Sequence, residues 1–334
     1  MTYLITGGAG FIGSHLADRL IENGHRVRVL DDLSTGRREN IAHLEGRDEF
    51  TLTTGSVLDE DVLDREIGAA DRVVHLAAAV GVKRILDRPV ETIHTNVDGT
   101  KNVLQRAAEE DKKVLAASTS EVYGKAMQEN EDLEALSETD NWTLGATGKR
   151  RWAYACTKAM DEFLAQAYHD EYGLPVTCVR FFNTAGPRQS GQYGMVIPTF
   201  VERALSGQPL DIHGDGTQTR CFTHIDDAVR AVVQLLDTPA AEGEVVNVGQ
   251  PTEISINDLA ERVLALTGSN ADVRHVPYEE VYGDGFEDMK RRTPDCSKLA
   301  DLTGYEPQRT VDDILRDVIE EVGAAKDEEA GAVA

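Results

Sequence analysis

Tyr154 and Lys158 stand four positions apart, in Tyr154-Ala155-Cys156-Thr157-Lys158. On a helix that spacing puts both side chains on one face. An ammonium beside a phenol stabilises the phenolate and lowers its pKa from about 10. Such a phenol suits the removal of a proton from a sugar hydroxyl near neutral pH. A solvated surface pair has the same spacing, so the chemistry requires a redox cofactor brought alongside.

The start of the chain supplies one. Gly7-Gly8-Ala9-Gly10-Phe11-Ile12-Gly13 follows a short apolar run and opens an amphipathic stretch. Gly7, Gly10 and Gly13 permit a tight turn, a close approach of backbone to a pyrophosphate, and close packing of helix on strand. The N–H groups of Phe11 and Ile12, at the positive end of the helix, suit the phosphates. Asp31 comes eighteen residues after Gly13, at the end of the second apolar run. There a carboxylate accepts hydrogen bonds from an adenosine ribose and disfavours a 2′-phosphate, so NAD is expected rather than NADP. Arg37 and Arg38, a few residues further on, argue the other way.

These residues need a scaffold. Tyr3–Thr6, Val27–Leu30, Phe50–Leu52, Arg72–Leu76, Lys113–Ala117 and Val176–Phe182 read as strands. Ile12–Glu22, Pro89–Glu110 and Trp152–Tyr172 read as helices between them. Alternation of this kind predicts right-handed crossovers and a parallel sheet. After Asn183, Gly and Pro become frequent and strands short, with helices near Ile197–Leu205, Asp226–Leu236, Ile256–Leu266 and Val311–Val322. The expected fold is an α/β Rossmann-type, doubly wound parallel sheet with a smaller C-terminal α/β lobe. The expected division is residues 1–182 for the dinucleotide, 183–324 for the substrate, and a frayed, flexible tail at 325–334.

The 334 residues carry 59 acidic against 34 basic side chains, a formal charge of −25, and only 10 of the basic ones are lysine. That surface repels nucleic acid and anionic membranes, and is expected of a protein from a high-salt habitat, where ions screen self-repulsion. No apolar run is long enough for a transmembrane helix, and no secretory signal opens the sequence. Cys156, Cys178, Cys221 and Cys296 lack paired spacing and read as free thiols in a reducing cytoplasm. His213 and His224 are too isolated to ligate a metal, so none is expected.

Taken in order, GGAGFIG (7–13), HLAA (75–78), STSEVYG (118–124), YACTK (154–158), RFFNTAGPR (180–188) and TQTRCFTHIDD (217–227) resemble the extended short-chain dehydrogenase/reductases. More narrowly, they resemble the NAD-dependent nucleotide-sugar epimerases, dehydratases and decarboxylases. The resemblance implies a triad in which Thr119 hydrogen-bonds the oxygen at sugar C4, Tyr154 takes its proton and Lys158 holds the nicotinamide ribose. It implies further cofactor contacts from Asp32, Ser34, Thr35, Gly36, Ser56, Val57, Leu76, Ala77, Ala78, Asn96 and Phe181. It also implies a nucleotide-sugar substrate, UDP-linked, held by Asn183, Arg188, Arg220 and Arg292, with Pro209–Ile212 lining the base pocket. A homodimer would form where Pro89–Glu110 and Trp152–Tyr172 meet their copies. Phe163, Leu164 and Tyr168 either form that seam or face the chain's own core.

The two residues after Thr119 bear on the outcome. The 4,6-dehydratases carry Asp-Glu there, and Ser120 departs from that pattern. Ser120-Glu121, the stretch Gly145–Tyr154 and Arg292 are similar to the UDP-glucuronate decarboxylases. A 4-keto uronate is a β-keto acid that loses CO2 readily. UDP-glucuronate decarboxylation is therefore the expected reaction. A UDP-sugar 4-epimerase is the alternative, with a dehydratase or a non-catalytic dinucleotide-binding protein behind it.

Overall fold

Seven short runs rich in Val, Leu and Ile build the centre of the molecule. In the computed structural model, which describes residues 1–81, 85, 87–191, 194–282 and 288–333, they are β1 (Thr2–Thr6), β2 (Arg26–Asp31), β3 (Phe50–Thr54), β4 (Arg72–His75), β5 (Lys113–Thr119), β6 (Val176–Phe181) and β7 (Val245–Val248). All pair in parallel, in the order β7-β6-β5-β4-β1-β2-β3. The order reverses between β1 and β4, which opens a crevice at their carboxyl ends.

Successive residues of each strand supply opposite faces. Leu4, Leu30, Val73 and Val114 pack against α2 (Glu60–Gly68), α3 (Pro89–Glu109) and α4 (Trp152–Tyr172). Ile5, Val29 and Val74 pack against α1 (Phe11–Glu22) and α6 (Ile225–Leu236), through Leu16, Leu20, Val229 and Leu235. Burying one such side chain contributes roughly 1.5–3 kcal/mol. α4 stops where Gly173 turns left-handed, with φ +70°, a conformation that costs glycine nothing.

The C-terminal lobe has its own core. α5 (Val196–Leu205), α7 (Ile256–Thr267) and α8 (Val311–Val333) enclose Phe200, Val201, Leu259, Val263, Ile314 and Leu315. The expected boundary at 183 is not a clean cut. After entering this lobe the chain returns to the first, laying α6 on α1 and adding β7 to the edge of β6. The expected frayed stretch from Ala325 continues α8 as helix through Val333; Ala334 lies outside the described residues.

Candidate functional site

The crevice widens into a cleft of about 1580 Å³ between the sheet and the C-terminal lobe. Its floor is the glycine loop. Gly7 has φ +72°, and a Cβ there would sit 2.8 Å from the backbone nitrogen of Ala77. A Cβ on Gly13 would run into the Gly7 carbonyl and come within 2.7 Å of the Gly8 Cα. Both positions therefore exclude any side chain, and the backbone lies bare along the cleft. α1 starts at Gly10 without a side-chain cap, so its first N–H groups remain for an anionic ligand.

Asp31 closes this end. It is 6 % exposed, and its carboxylate accepts from Ala9 N–H at 2.9 Å and Leu33 N–H at 2.8 Å. Burial raises its pKa against the pull of those two donors. Arg38 turns away to grip Glu45 at 2.7 and 2.8 Å. Arg37 lines the cleft and donates to Ser190 Oγ at 2.9 Å.

Of the residues expected at the cofactor, Gly7, Gly10, Phe11, Ile12, Gly13, Asp31, Asp32, Ser34, Thr35, Ser56, Val57, Leu76, Ala77, Ala78, Tyr154, Lys158 and Phe181 line the cleft. Gly36 and Asn96 do not. Gly36 is the space into which the Asp31 carboxylate fits, because a Cβ there would lie 2.8 Å from both oxygens. Asn96 is wholly buried, and its amide is spent on Ala79, accepting from its N–H at 2.7 Å, and on Thr157 Oγ1 at 3.1 Å. It bolts the segment after β4 to α4.

Further along the cleft, Thr119 ends β5 and its Oγ1 accepts from Glu121 N–H at 3.2 Å. The same hydroxyl hydrogen-bonds Tyr154. The expected lowering of the Tyr154 pKa is not found in the chain by itself. The phenol is pushed up, first by burial, then by the negative charges of Glu121 and Asp161. The Lys158 ammonium is engaged one turn on, donating to Asp161 Oδ2 at 2.8 Å.

Ser120 is buried beside Thr119. Glu121 sits between two guanidinium groups: Arg292 reaches Oε1 at 2.6 Å and Arg151 reaches Oε2 at 3.1 Å. Together they hold its carboxyl below the usual range despite burial. Arg292 also donates to Asn183 Oδ1 at 2.6 Å, while Arg151 and Arg220 share Asp288, at 3.3 and 2.9 Å. Tyr278 donates to the same carboxylate at 3.0 Å. The expected substrate residues thus meet in one charged network that lines the cleft. Arg188 stands apart from it, with its backbone N–H on Glu321 and its guanidinium 2.8 Å from Asp18.

Sequence reasoning did not single out Arg151, Asp288, Tyr278 or Asp161. Of the segment Pro209–Ile212 expected at the base pocket, Asp211 lines the cleft. Leu210–His213 is a strand, so Leu210 and Ile212 point into the lobe core while Asp211 and His213 face the cleft. Among the described residues no group of three His, Cys, Asp or Glu side chains is placed to hold a metal, and no helix is long and apolar enough to cross a membrane.

A switch-point crevice with a glycine floor, a buried acid at the end of β2 and a Thr–Tyr–Lys set fits a dinucleotide-dependent enzyme that oxidises an alcohol. The residues fit NAD, which supplies the acceptor for the hydrogen on the alcohol carbon. Residues 3–249 match the NAD dependent epimerase/dehydratase family, and the chain belongs to it. It is 43% identical over 318 residues to UDP-N-acetyl-alpha-D-glucosaminuronate decarboxylase of Bacillus cytotoxicus, covering 95% of this chain and 96% of that one. It is 35% identical to UDP-glucuronic acid decarboxylase 1 of Xenopus tropicalis, over 91% of this chain and 68% of the relative. The structure of UDP-glucuronic acid 4-epimerase from Bacillus cereus, in complex with UDP-glucuronic acid and NAD, superposes with a TM-score of 0.87 at 30% identity. That match covers 97% of this chain and 100% of that one.

Proposed function

We propose that this enzyme decarboxylates a UDP-linked uronic acid, with oxidation at C4 as the enabling step. Tyr154 takes the C4 hydroxyl proton, Thr119 orients that oxygen, and Lys158 holds the nicotinamide ribose. The ketone so formed is β to the C5 carboxylate, so CO2 leaves as the bonding pair enters the ketone as an enolate. The observation that carries this reading is the Glu121–Arg292 contact of 2.6 Å, two residues beyond Thr119. A fixed carboxylate and cation beside Thr119 in the cleft support a site that turns the substrate carboxylate out of the ketone plane. Asn183, Arg188 and Arg220 line the same cleft, which supports them as the residues that receive the diphosphate.

The relatives' names support a uronate, with the glucuronate and the 2-acetamido form both in range. Incubation with UDP-glucuronate and with UDP-N-acetylglucosaminuronate, following CO2 and sugar configuration by NMR, tests the reading. CO2 from one of them is expected. Inversion at C4 without CO2 loss overturns it in favour of a uronate 4-epimerase, a reading that the Bacillus cereus neighbour also supports.

The reading extends to assembly and setting. Val90, Ile93, Met160, Phe163 and Tyr172 are exposed on the adjoining helices α3 and α4. They suit a seam with a second copy, forming a two-fold dimer. Leu164 and Tyr168 pack against the chain's own core instead. Four free cysteines, two of them buried, suit a reducing cytoplasm, and the charge of −25 suits high salt.

A further inference from the structure

Tyr154, Lys158 and Asp161 succeed one another at i, i+4 and i+7 along α4, on one stripe. Lys158 and Asp161 are 2 % and 3 % exposed, and their charged atoms are 2.8 Å apart. A buried ion pair seldom gains stability over a well-packed apolar pair; here Thr100 hydrogen-bonds the same carboxylate as Lys158. Asp161 Oδ1 takes no hydrogen bond among the described residues. The next residue shows what a structural bridge looks like here: Glu162 receives Arg180 through two hydrogen bonds, at 2.9 and 2.7 Å, and Ser118 as well.

We propose that Asp161 is a positioning residue for the oxidation step, a counter-charge that holds the Lys158 ammonium and offsets its field at Tyr154. This rests on the reading of Tyr154 as the group that takes the C4 hydroxyl proton.

The charges around the pair support it. Tyr154 faces Glu121 and Arg292, which oppose one another. Lys158 and Asp161 face Glu162, itself neutralised by Arg180, and the buried Cys178, whose thiol is pushed up by burial. On β4, His75 sits between Thr6 and Thr100, and burial together with the Lys158 charge lowers its pKa to about 3, so it stays neutral. After burial and Glu121, Asp161 is the next influence that raises the phenol, and it stands on the same stripe as Lys158, which it binds. A lysine alone would favour the phenolate; the aspartate returns the phenol toward its proton. Asp161 thereby adds to burial and Glu121 in favouring the protonated phenol at rest.

The test is the pH profile of kcat/KM for Asp161→Asn, Asp161→Ser and Asp161→Glu against the unaltered enzyme. A parallel titration uses 13C NMR of Cζ-labelled tyrosine in NAD-loaded protein, with Tyr154 assigned from the Tyr154→Phe spectrum. In both neutral variants the acid limb and the Tyr154 midpoint are expected to fall by about one pH unit, while Asp161→Glu keeps both near the original. A limb and midpoint that stay or rise in the folded neutral variants overturn the inference, as does a pH-independent loss of rate. Should neither neutral variant fold, Asp161→Glu decides alone: a limb and midpoint near the original support the inference, and a shift of about a unit or more with the charge retained overturns it. Undiminished turnover in Tyr154→Phe sinks the reading of Tyr154 itself, which is a separate result.

Discussion

Arg292 crosses from the C-terminal lobe to put Nη1 2.6 Å from Glu121 Oε1, behind the end of β5. One guanidinium thereby ties the lobe that faces the substrate to the residue next to the triad. Its other nitrogen is on Asn183, so three distant segments are fixed by a single side chain.

Glu121→Gln keeps the shape and removes the charge. It should leave NAD binding nearly intact and permit some reduction of NAD on a uronate. CO2 release is expected to slow by about 10²-fold or more, the range for a group acting in the transition state. Stopped-flow absorbance of NADH and a CO2 assay on the same samples check this, and equal slowing of both steps counts against a role for Glu121 in decarboxylation.

Asp31 holds Ala9 and Leu33, and we propose that it also reads the cofactor ribose. Asp31→Ser removes the charge that disfavours a 2′-phosphate, with Arg37 at the same end of the cleft. The preference for NAD over NADP should narrow, and NAD affinity should fall as well because the loop loosens. Dissociation constants for both cofactors decide it. An unchanged ratio means that another residue reads the ribose.

Glu253 accepts from Arg291 at 2.8 Å and from Thr293 and Thr219 at 2.6 Å, and its pKa falls from 4.5 to about 2. A folded-state pKa below the unfolded one contributes stability that is present above pH 4.5 and lost as pH falls toward 2. Glu253→Gln should lose this dependence. Denaturant midpoints at pH 7 and pH 3 are expected to differ less in the variant than in the parent.

A net charge of −25 repels itself most where ions are dilute. The melting temperature should rise by several degrees between dilute buffer and molar KCl. A flat or falling curve would mark an ordinary acidic protein.

Phe163 is 58 % exposed at the middle of α4. If it lies in the seam with a second copy, light scattering at micromolar concentration in high salt should give about twice 36.5 kDa, and Phe163→Glu should give the single-chain mass with the fold intact. A monomeric parent rejects the dimer.

Much of this was legible in the residues. β1 to β6 were found within a few positions because a buried parallel strand writes itself as a run of Val, Leu and Ile. The glycine floor was legible because only glycine tolerates φ +72° against the Ala77 backbone. β7 was missed: Val245–Val248 is four residues in a Gly-rich half, and its partner β6 lies far back in the chain. α2 was missed for its length. Arg151, Asp288 and Tyr278 are joined by ion pairs and hydrogen bonds across long stretches of sequence, which no local pattern records. Asp161 was different: extending the Tyr154–Lys158 stripe by one turn would have found it, whereas the burial that chiefly raises Tyr154 depends on the fold around it.

The return of the chain to its first sheet carries a cost for anyone who would divide it. Cut after residue 182, the dinucleotide half would lose β7 and α6, baring the N–H and C=O row of β6 and the apolar side of α1. An unpaired parallel edge of that kind recruits other strands, so the half-molecule would be prone to aggregate. The two lobes are neighbours in function but one unit in folding, and neither can be exchanged among relatives as a cassette with ends at the visible seam.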